Sequence, residues 1–213
     1  MGGDVFHSDI HIIVMMEICA FDFDGTLTRS DTLLGMIRHH RGMAGLLGVL
    51  LWHSPLLLLM KVGLYSNGKV KRKVFDMCFG GMAVADFDNL CREYAAKHHG
   101  ILRTNGMRCI DNALRRGSKV VIVSASIENW VRPFFHGYES IEIVGTKIET
   151  EDGKLTGRFI TENCYGGEKV ARLLELYPDR KAYRLVAYGD SRGDRELLAF
   201  ADERHYKEFD KQG

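Results

Sequence analysis

A short apolar run ending in two aspartates one residue apart constrains this chain more than any other stretch: Ile18-Cys19-Ala20-Phe21-Asp22-Phe23-Asp24-Gly25-Thr26-Leu27-Thr28. The run reads as a buried strand and changes character within three residues. Buried carboxylates are costly unless something pairs with them, so two at the carboxyl end of a strand need a compensating group. A strand that opens into a Gly-Thr turn is also where open α/β sheets place their ligands. A bare Asp-x-Asp is a strand followed by an acidic turn. This one acquires chemical meaning only if the rest of the chain supplies partners.

Three later runs repeat the pattern. Lys119-Val120-Val121-Ile122-Val123-Ser124 ends in a small polar residue, Ile141 to Val144 is short, and Arg184 to Tyr188 runs into Gly189-Asp190-Ser191-Arg192-Gly193-Asp194. Helical spacing fills the gaps: Thr32 to His40 behind a cap in Arg29-Ser30-Asp31, Lys69 to Phe79 after an Asn67-Gly68 turn, Ala83 to His99, Thr104 to Arg116 closed by Gly117, and Val170 to Leu176. Asp152-Gly153, within residues 148–159, is a hairpin signal. Strands alternating with helices predict an α/β protein with a Rossmann-like, doubly wound parallel sheet. About eighty residues of helix lie between the first aspartates and Ser124. The expected organisation is therefore a discontinuous core over 17–30 and 104–213, an all-helical cap domain over 31–103, and an extension over 1–16. Ile10 to Met16 in that extension lacks the basic start and long apolar centre of a secretory leader; an extra edge strand is the alternative reading.

The inserted helices have an unusual composition. Leu46 to Met60 is a fifteen-residue apolar run interrupted by His53-Ser54-Pro55, short of the roughly 20 residues that span a bilayer. Two short helices meeting at the proline are expected. Thr32 to Phe75 holds no acidic residue but carries Arg38, Arg41, Lys61, Lys69, Lys71, Arg72 and Lys73. Two readings follow: a helical pair buried within the cap, or a lipid-facing surface flanked by positive charge. The net charge of +1 gives no sign of a nucleic-acid partner. Five cysteines without a Cys-x-x-Cys pair indicate free thiols and a cytoplasmic location, possible membrane association following only from the lipid-facing reading, and no zinc site. His39-His40 and His98-His99 are adjacent pairs whose members diverge on a helix, as surface or partner residues do.

Four strand-to-loop junctions thus carry Asp22 and Asp24, Ser124, Gly167 to Lys169, and Asp190 with Asp194. A parallel sheet brings all its strand carboxyl ends to one side, so these groups can converge. Crowded carboxylates repel unless a cation sits among them, and an all-oxygen set suits Mg²⁺. A cation together with Lys169 and Ser124 makes a cage for a phosphoryl group.

The order DFDGTLT, VIVSAS, a lysine, then GDSRGD resembles the haloacid dehalogenase superfamily from about Ile18 to Phe200. The resemblance implies a Mg²⁺-dependent phosphatase acting on a phosphate monoester. In it Asp22 is the nucleophile that forms an aspartyl-phosphate, and Asp24 is the acid and then the base. It further implies that Asp22, the Asp24 carbonyl and Asp190 hold the metal, with Asp194 steering them. Ser124, Lys169 and backbone N–H groups at Gly25, Thr26 and Ala125 would bind phosphoryl oxygens. An acid at Asp24 separates phosphatases from haloalkanoate dehalogenases, which lack one there. The helical insertion resembles that of the phosphoserine-phosphatase-like branch, with Asp31 as the cap residue facing substrate. Two positions depart from true phosphoserine phosphatases: Ser124-Ala125-Ser126 replaces Ser-Gly-Gly, and Asp31 replaces a glutamate. The apolar, basic cap and Asn163 to Val170 are similar to the phosphatidylglycerophosphatase C group. The expected partner is a small phosphorylated substrate or a phospholipid head group, with peripheral membrane contact in the second case. A non-catalytic phospho-ligand binding protein is the third possibility.

Overall fold

The computed structural model describes residues 15–210; of the extension expected over 1–16, residues 1–14 lie outside them, and Met16 opens the first strand instead. Among the described residues there are seven strands: β1 Met16–Phe21, β2 Lys119–Ile127, β3 Ile141–Thr146, β4 Ile148–Glu151, β5 Lys154–Phe159, β6 Tyr183–Gly189 and β7 Glu203–Tyr206. Five form one sheet in the order β3-β2-β1-β6-β7, and every pairing in it is parallel. The apolar runs fill both faces of its central strands. Cys19, Phe21, Val120, Ile122, Val186 and Tyr188 pack into one core, while Ile18, Ala20, Val121, Val123, Leu185 and Ala187 pack into the other. This is the continuous hydrophobicity of strands covered on both sides.

Seven α-helices accompany the strands among the described residues: α1 Thr32–Lys61, α2 Asn67–Phe79, α3 Val84–His98, α4 Thr104–Arg115, α5 Glu128–Val131, α6 Gly167–Leu176 and α7 Arg195–Phe200. Ile110 and Ala113 of α4 close one core, and Leu173 of α6 with Leu197 and Leu198 of α7 close the other. The chain winds from β1 outward to β3, then returns past β1 to β6 and β7. The carboxyl ends of β1 and β6 therefore flank the point where the winding reverses, the crevice such sheets use for ligands.

Three local expectations change. Asn67-Gly68 is the first turn of α2 behind Ser66, not a separate turn. β7 was not anticipated: Glu-Arg-His-Tyr is polar, and this edge strand exists through its pairing with β6. The break in α1 falls at Gly42, with φ 70° and ψ −179°, and helix runs on through Gly45 and Pro55. A proline leaves the carbonyl four residues back without its N–H donor. Here Ser54 Oγ donates to that carbonyl, Leu51 O, at 2.8 Å.

The long second part of α1 has two different sides. Val49 and His53 are buried, and Leu46, Leu56, Leu57 and Met60 pack beside them on the core. On the outside, Leu47, Leu51, Trp52 and Leu58 are 59, 77, 74 and 66% exposed. α1 is long and apolar enough to cross a membrane by length and composition, unlike the interrupted run expected, yet its inner face belongs to the domain. The hairpin β4–β5 turns at Asp152 and Gly153, both at positive φ, and touches the start of α3 through Val84 N to Gly153 O at 2.9 Å.

Candidate active site

Asp22 follows the last residue of β1, and its N–H donates to Tyr188 O of β6 at 2.9 Å. Its side chain is 5% exposed. One carboxylate oxygen accepts from Lys169 Nζ at 2.5 Å and the other from Thr26 Oγ1 at 3.3 Å, so its orientation is fixed from both sides. Lys169 sits in the first turn of α6 and also donates to Asp194 Oδ1 at 2.6 Å. All three groups are buried. Burial alone would favour a neutral Lys169, but the two carboxylates hold its ammonium above the ordinary lysine value.

Asp194 is the most fully occupied of the carboxylates. Its second oxygen accepts from Ser191 Oγ at 2.8 Å, Ser191 N at 2.9 Å and Asp190 N at 3.2 Å. Burial raises its affinity for a proton, but Lys169 and these donors win and hold it below the usual carboxylate range. Asp22 has fewer donors, and burial carries it up to about 7 against the pull of Lys169. Asp190, whose Oδ1 accepts from Thr26 Oγ1 at 3.1 Å, is likewise raised by burial. Thr26 thereby ties the end of β1 to the end of β6.

Gly25 makes this approach possible. Its φ is +86°, and a Cβ there would lie 2.5 Å from Asp190 Oδ2. The turn Phe23–Leu27 closes on itself through Thr28 N to Phe23 O at 3.0 Å. The Gly25 N–H is given to Thr28 Oγ1 at 3.2 Å, so Gly25 serves the site through its missing side chain and its turn. The cradle suits a cation. Ligand oxygens of Asp22, Asp190 and Asp194 all lie within 4.8 Å of one another, and all-oxygen sets suit Mg²⁺. Asp22 and Asp190 are the two that burial raises, and a nearby cation would reverse that shift.

Asp24 is held differently. It accepts from Thr32 N at 2.9 Å and Thr32 Oγ1 at 3.0 Å, both in the first turn of α1, and from Ser126 Oγ of β2. No cation pairs with it directly among the described residues. Burial, and then the charge of Asp31, push it up to about 6. Asp31 itself is exposed. It caps α1 by accepting from Leu34 N at 3.0 Å, and its charge raises the proton affinity of Asp24.

Ser124 is buried, and its Oγ accepts from Ser126 N at 3.0 Å. The pairing of β2 with β3 is irregular between Val123 and Ile127, which frees backbone groups there, as a bulge does. Ala125 O takes Thr146 Oγ1 at 2.8 Å and, at 2.6 Å, Lys71 Nζ from α2. Lys71 was expected in a basic surface patch; it instead turns inward, while Lys69, Arg72 and Lys73 stay exposed. Thr32, Ser126 and Lys71 are the residues that sequence reading missed. The alternation of Ser124 and Ser126 on one strand face was the available signal for Ser126. The two histidine pairs split as expected, although His39 meets His98 across helices, ring centroids 5.5 Å apart.

A family model described as haloacid dehalogenase-like hydrolase matches residues 19–199. Protein CicA of Caulobacter vibrioides is 35% identical over 212 residues, covering 98% of this chain and 90% of that protein. A phosphoserine phosphatase of Wolinella succinogenes is 25% identical over 195 residues, covering 89% and 86%. Among solved structures, a protein of unknown function from Bordetella pertussis Tohama I aligns with a TM-score of 0.77 at 17% identity, over 89% of each chain. A phospho-aspartyl intermediate analogue of phosphoserine phosphatase aligns with a TM-score of 0.60 at 18% identity, over 89% of this chain and 85% of that one.

Proposed function

Because the chain belongs to the haloacid dehalogenase-like hydrolase family, we propose that it is a Mg²⁺-dependent phosphatase that hydrolyses a phosphate monoester through an aspartyl-phosphate on Asp22. The observation that carries the reading is the pairing of two unlike carboxylates. Asp22 is pinned between Lys169 and Thr26 beside the carboxylates of the cation cradle, where a bound cation would bring its raised proton affinity down. Asp24 is held by Thr32 and Ser126 with no direct cation partner among the described residues, and keeps the proton affinity that burial and Asp31 raise. A nucleophile and an acid set by their surroundings are what such chemistry needs.

In this reading an Asp22 oxygen forms a bond to phosphorus as the bond to the alcohol oxygen breaks, and Asp24 gives that oxygen its proton. Ionised Asp24 then takes a proton from water, whose oxygen attacks phosphorus. The bond to Asp22 breaks, returning the carboxylate and releasing inorganic phosphate. Lys169 faces the phosphoryl oxygens and keeps Asp22 oriented, while Asp194 keeps Lys169 in place. Asp22 and Asp190, with the Asp24 carbonyl, would hold Mg²⁺, which when bound neutralises charge on the phosphoryl oxygens. Ser124 and the N–H of Ala125 complete the phosphate cradle, and the helices from α1 to α3 act as its cap. The test is phosphate release from p-nitrophenyl phosphate, with and without Mg²⁺. Release that stops on chelation and returns with Mg²⁺ is expected; release indifferent to the metal would overturn the proposal.

The small phosphorylated substrate is the first reading. A second, a phosphate monoester on a lipid head group, is favoured by the outer side of α1. Leu51 and Trp52 stand 77 and 74% exposed, with Val62 and Leu64 beyond the helix equally open and exposed Lys61, Lys69, Arg72 and Lys73 nearby in the chain. An apolar strip with positive flanks fits an anionic interface. Trp52 reports on it directly, since the other tryptophan, Trp130, is buried. Anionic vesicles are expected to shift tryptophan emission to the blue at low salt, the shift being lost in Trp52→Phe. Emission that vesicles leave unchanged would remove the lipid reading.

A further inference from the structure

Arg103 stands where a helix alone would not place it. It is the N-cap of α4, with φ −77° and ψ 119°. That position favours serine, threonine, asparagine or aspartate, whose side chains accept from the first N–H groups. A positive charge there also opposes the helix dipole. The Arg103 side chain gives α4 no capping bond. Its guanidinium is directed elsewhere, each nitrogen to a different oxygen: Nε to Thr28 O at 3.1 Å, one terminal nitrogen to Phe209 O at 3.2 Å, and the other to the Asp210 carboxylate at 2.8 Å. The side chain is 19% exposed, so water competes little for the fork.

The three oxygens belong to two distant segments of the chain. Thr28 closes the turn after β1: its N–H donates to Phe23 O at 3.0 Å, and its Oγ1 accepts from Gly25 N at 3.2 Å. Phe209 and Asp210 follow β7. Just before them Lys207, at φ +55°, donates its N–H to Gly189 O at 2.9 Å, one residue ahead of Asp190. Phe209 is buried, and its ring stacks on Tyr188 with centroids 5.5 Å apart. Tyr188 stacks in turn on Phe21, the neighbour of Asp22, at 4.4 Å. Gly106 of α4 leaves room for this packing, since a Cβ there would lie 2.8 Å from Leu27 and 3.5 Å from Phe209. Glu208, Phe209 and Asp210 line one tight crevice with Gly25 and Thr26. Residues 207–210 thus form a strap across the two strand ends that carry Asp22 and Asp190, and Arg103 is its buckle.

We propose that Arg103 is a positioning residue for the cation cradle: through the strap it holds the turn after β1 against the end of β6, and so fixes how Asp22 stands to Asp190. The inference rests on the phosphatase reading for the cation itself, and adds a residue outside the ligand set on which its affinity depends. Groups that orient metal ligands from outside contribute roughly 10- to 100-fold to affinity. The charge of Arg103 acts in the opposite sense. A positive group near the cradle repels a cation, so loss of charge alone would tighten Mg²⁺ binding, whereas loss of the strap weakens it. The two effects therefore differ in sign.

The test reads Mg²⁺ affinity of the full chain by calorimetry, without substrate. In Arg103→Met the dissociation constant is expected to rise roughly 10-fold. Arg103→Lys keeps the charge but offers one nitrogen to three oxygens, and its constant should rise in the same direction by less. Because it preserves the charge, it also serves if Arg103→Met does not fold. The half-saturating Mg²⁺ for phosphate release should rise in step with each constant. Affinity that is unchanged or tighter in Arg103→Met, or unchanged in Arg103→Lys, would overturn the proposal. A lowered urea midpoint with unaltered Mg²⁺ affinity would do the same, since it is what a purely structural arginine gives. Asp190→Asn, which removes a ligand, should abolish the calorimetric signal and so ties it to the cradle. Wild type that binds Mg²⁺ there but hydrolyses no ester would remove the phosphatase reading and leave the strap standing. Mg²⁺-dependent release with affinity indifferent to Arg103 would do the reverse, and wild type that binds no Mg²⁺ would overturn both.

Discussion

Asp22→Asn is expected to reduce phosphate release by four or more orders of magnitude, the scale on which loss of a covalent nucleophile acts in other enzymes. The amide keeps the shape of the side chain and can still meet Thr26 or Lys169, but its nitrogen has no lone pair to give and its oxygen is a poor nucleophile. The fold should survive, because Lys169 keeps its contact with Asp194 at 2.6 Å. Circular dichroism should therefore match wild type while turnover disappears. Beryllofluoride with Mg²⁺, which imitates an aspartyl-phosphate, should bind wild type and not the variant. Measurable turnover at a tenth of the wild-type rate would falsify the assignment of Asp22 as nucleophile. A protein that only binds phosphorylated ligands would show no release in either form and no difference between them.

Lys169→Met is expected to cost about 3–5 kcal/mol of stability, the range for removing one partner from a buried charge cluster. The side chain is 2% exposed and lies between Asp22 at 8% and Asp194 at 1%, so water cannot take the place of the ammonium. Two carboxylates would remain facing each other in a site where burial already carries Asp22 up to about 7. The sign of the pH dependence follows. Without Lys169 both carboxyls would hold their protons more tightly in the folded chain than in the unfolded one. The folded variant then binds more protons, and its stability falls as pH rises. Urea unfolding at pH 5 and pH 8 should show a smaller deficit at the lower pH. A deficit below 1 kcal/mol, equal at both, would mean that the cluster does not hold this part of the fold together.

The central strands could be read from the chain because each is buried on both faces. Val120-Val121-Ile122-Val123 has no alternative but a covered sheet, and parallel pairing then brings Asp22, Lys169, Asp190 and Asp194 to one edge. That convergence needs only topology. β7 could not be read, since an edge strand written Glu-Arg-His-Tyr carries no apolar signal. Pro55 was read as a break because its compensation depends on the Ser54 hydroxyl turning back to Leu51 O, a rotamer choice that sequence does not state. Thr32 and Lys71 reach the site only once α1 and α2 have taken their places over β2, so no spacing in the chain announces them. Ser126 was visible as a departure from Ser-Gly-Gly, but its meaning required the bulge that points its hydroxyl at Asp24.

Gly42 gives α1 a mechanical property. On one side of it, Thr32 grips Asp24 with an N–H and a hydroxyl; on the other lies the long exposed arm that ends at Lys61. A rigid rod of that length would act as a lever, turning every push on Leu51 or Trp52 into a displacement of the acid. The positive φ at residue 42 interrupts the rod with an elbow, and nothing lies within 4 Å of where a Cβ would stand. Glycine is therefore required there by torsion and not by crowding. The elbow means that the turn gripping Asp24 and the arm carrying Leu51 and Trp52 do not share one continuous helix.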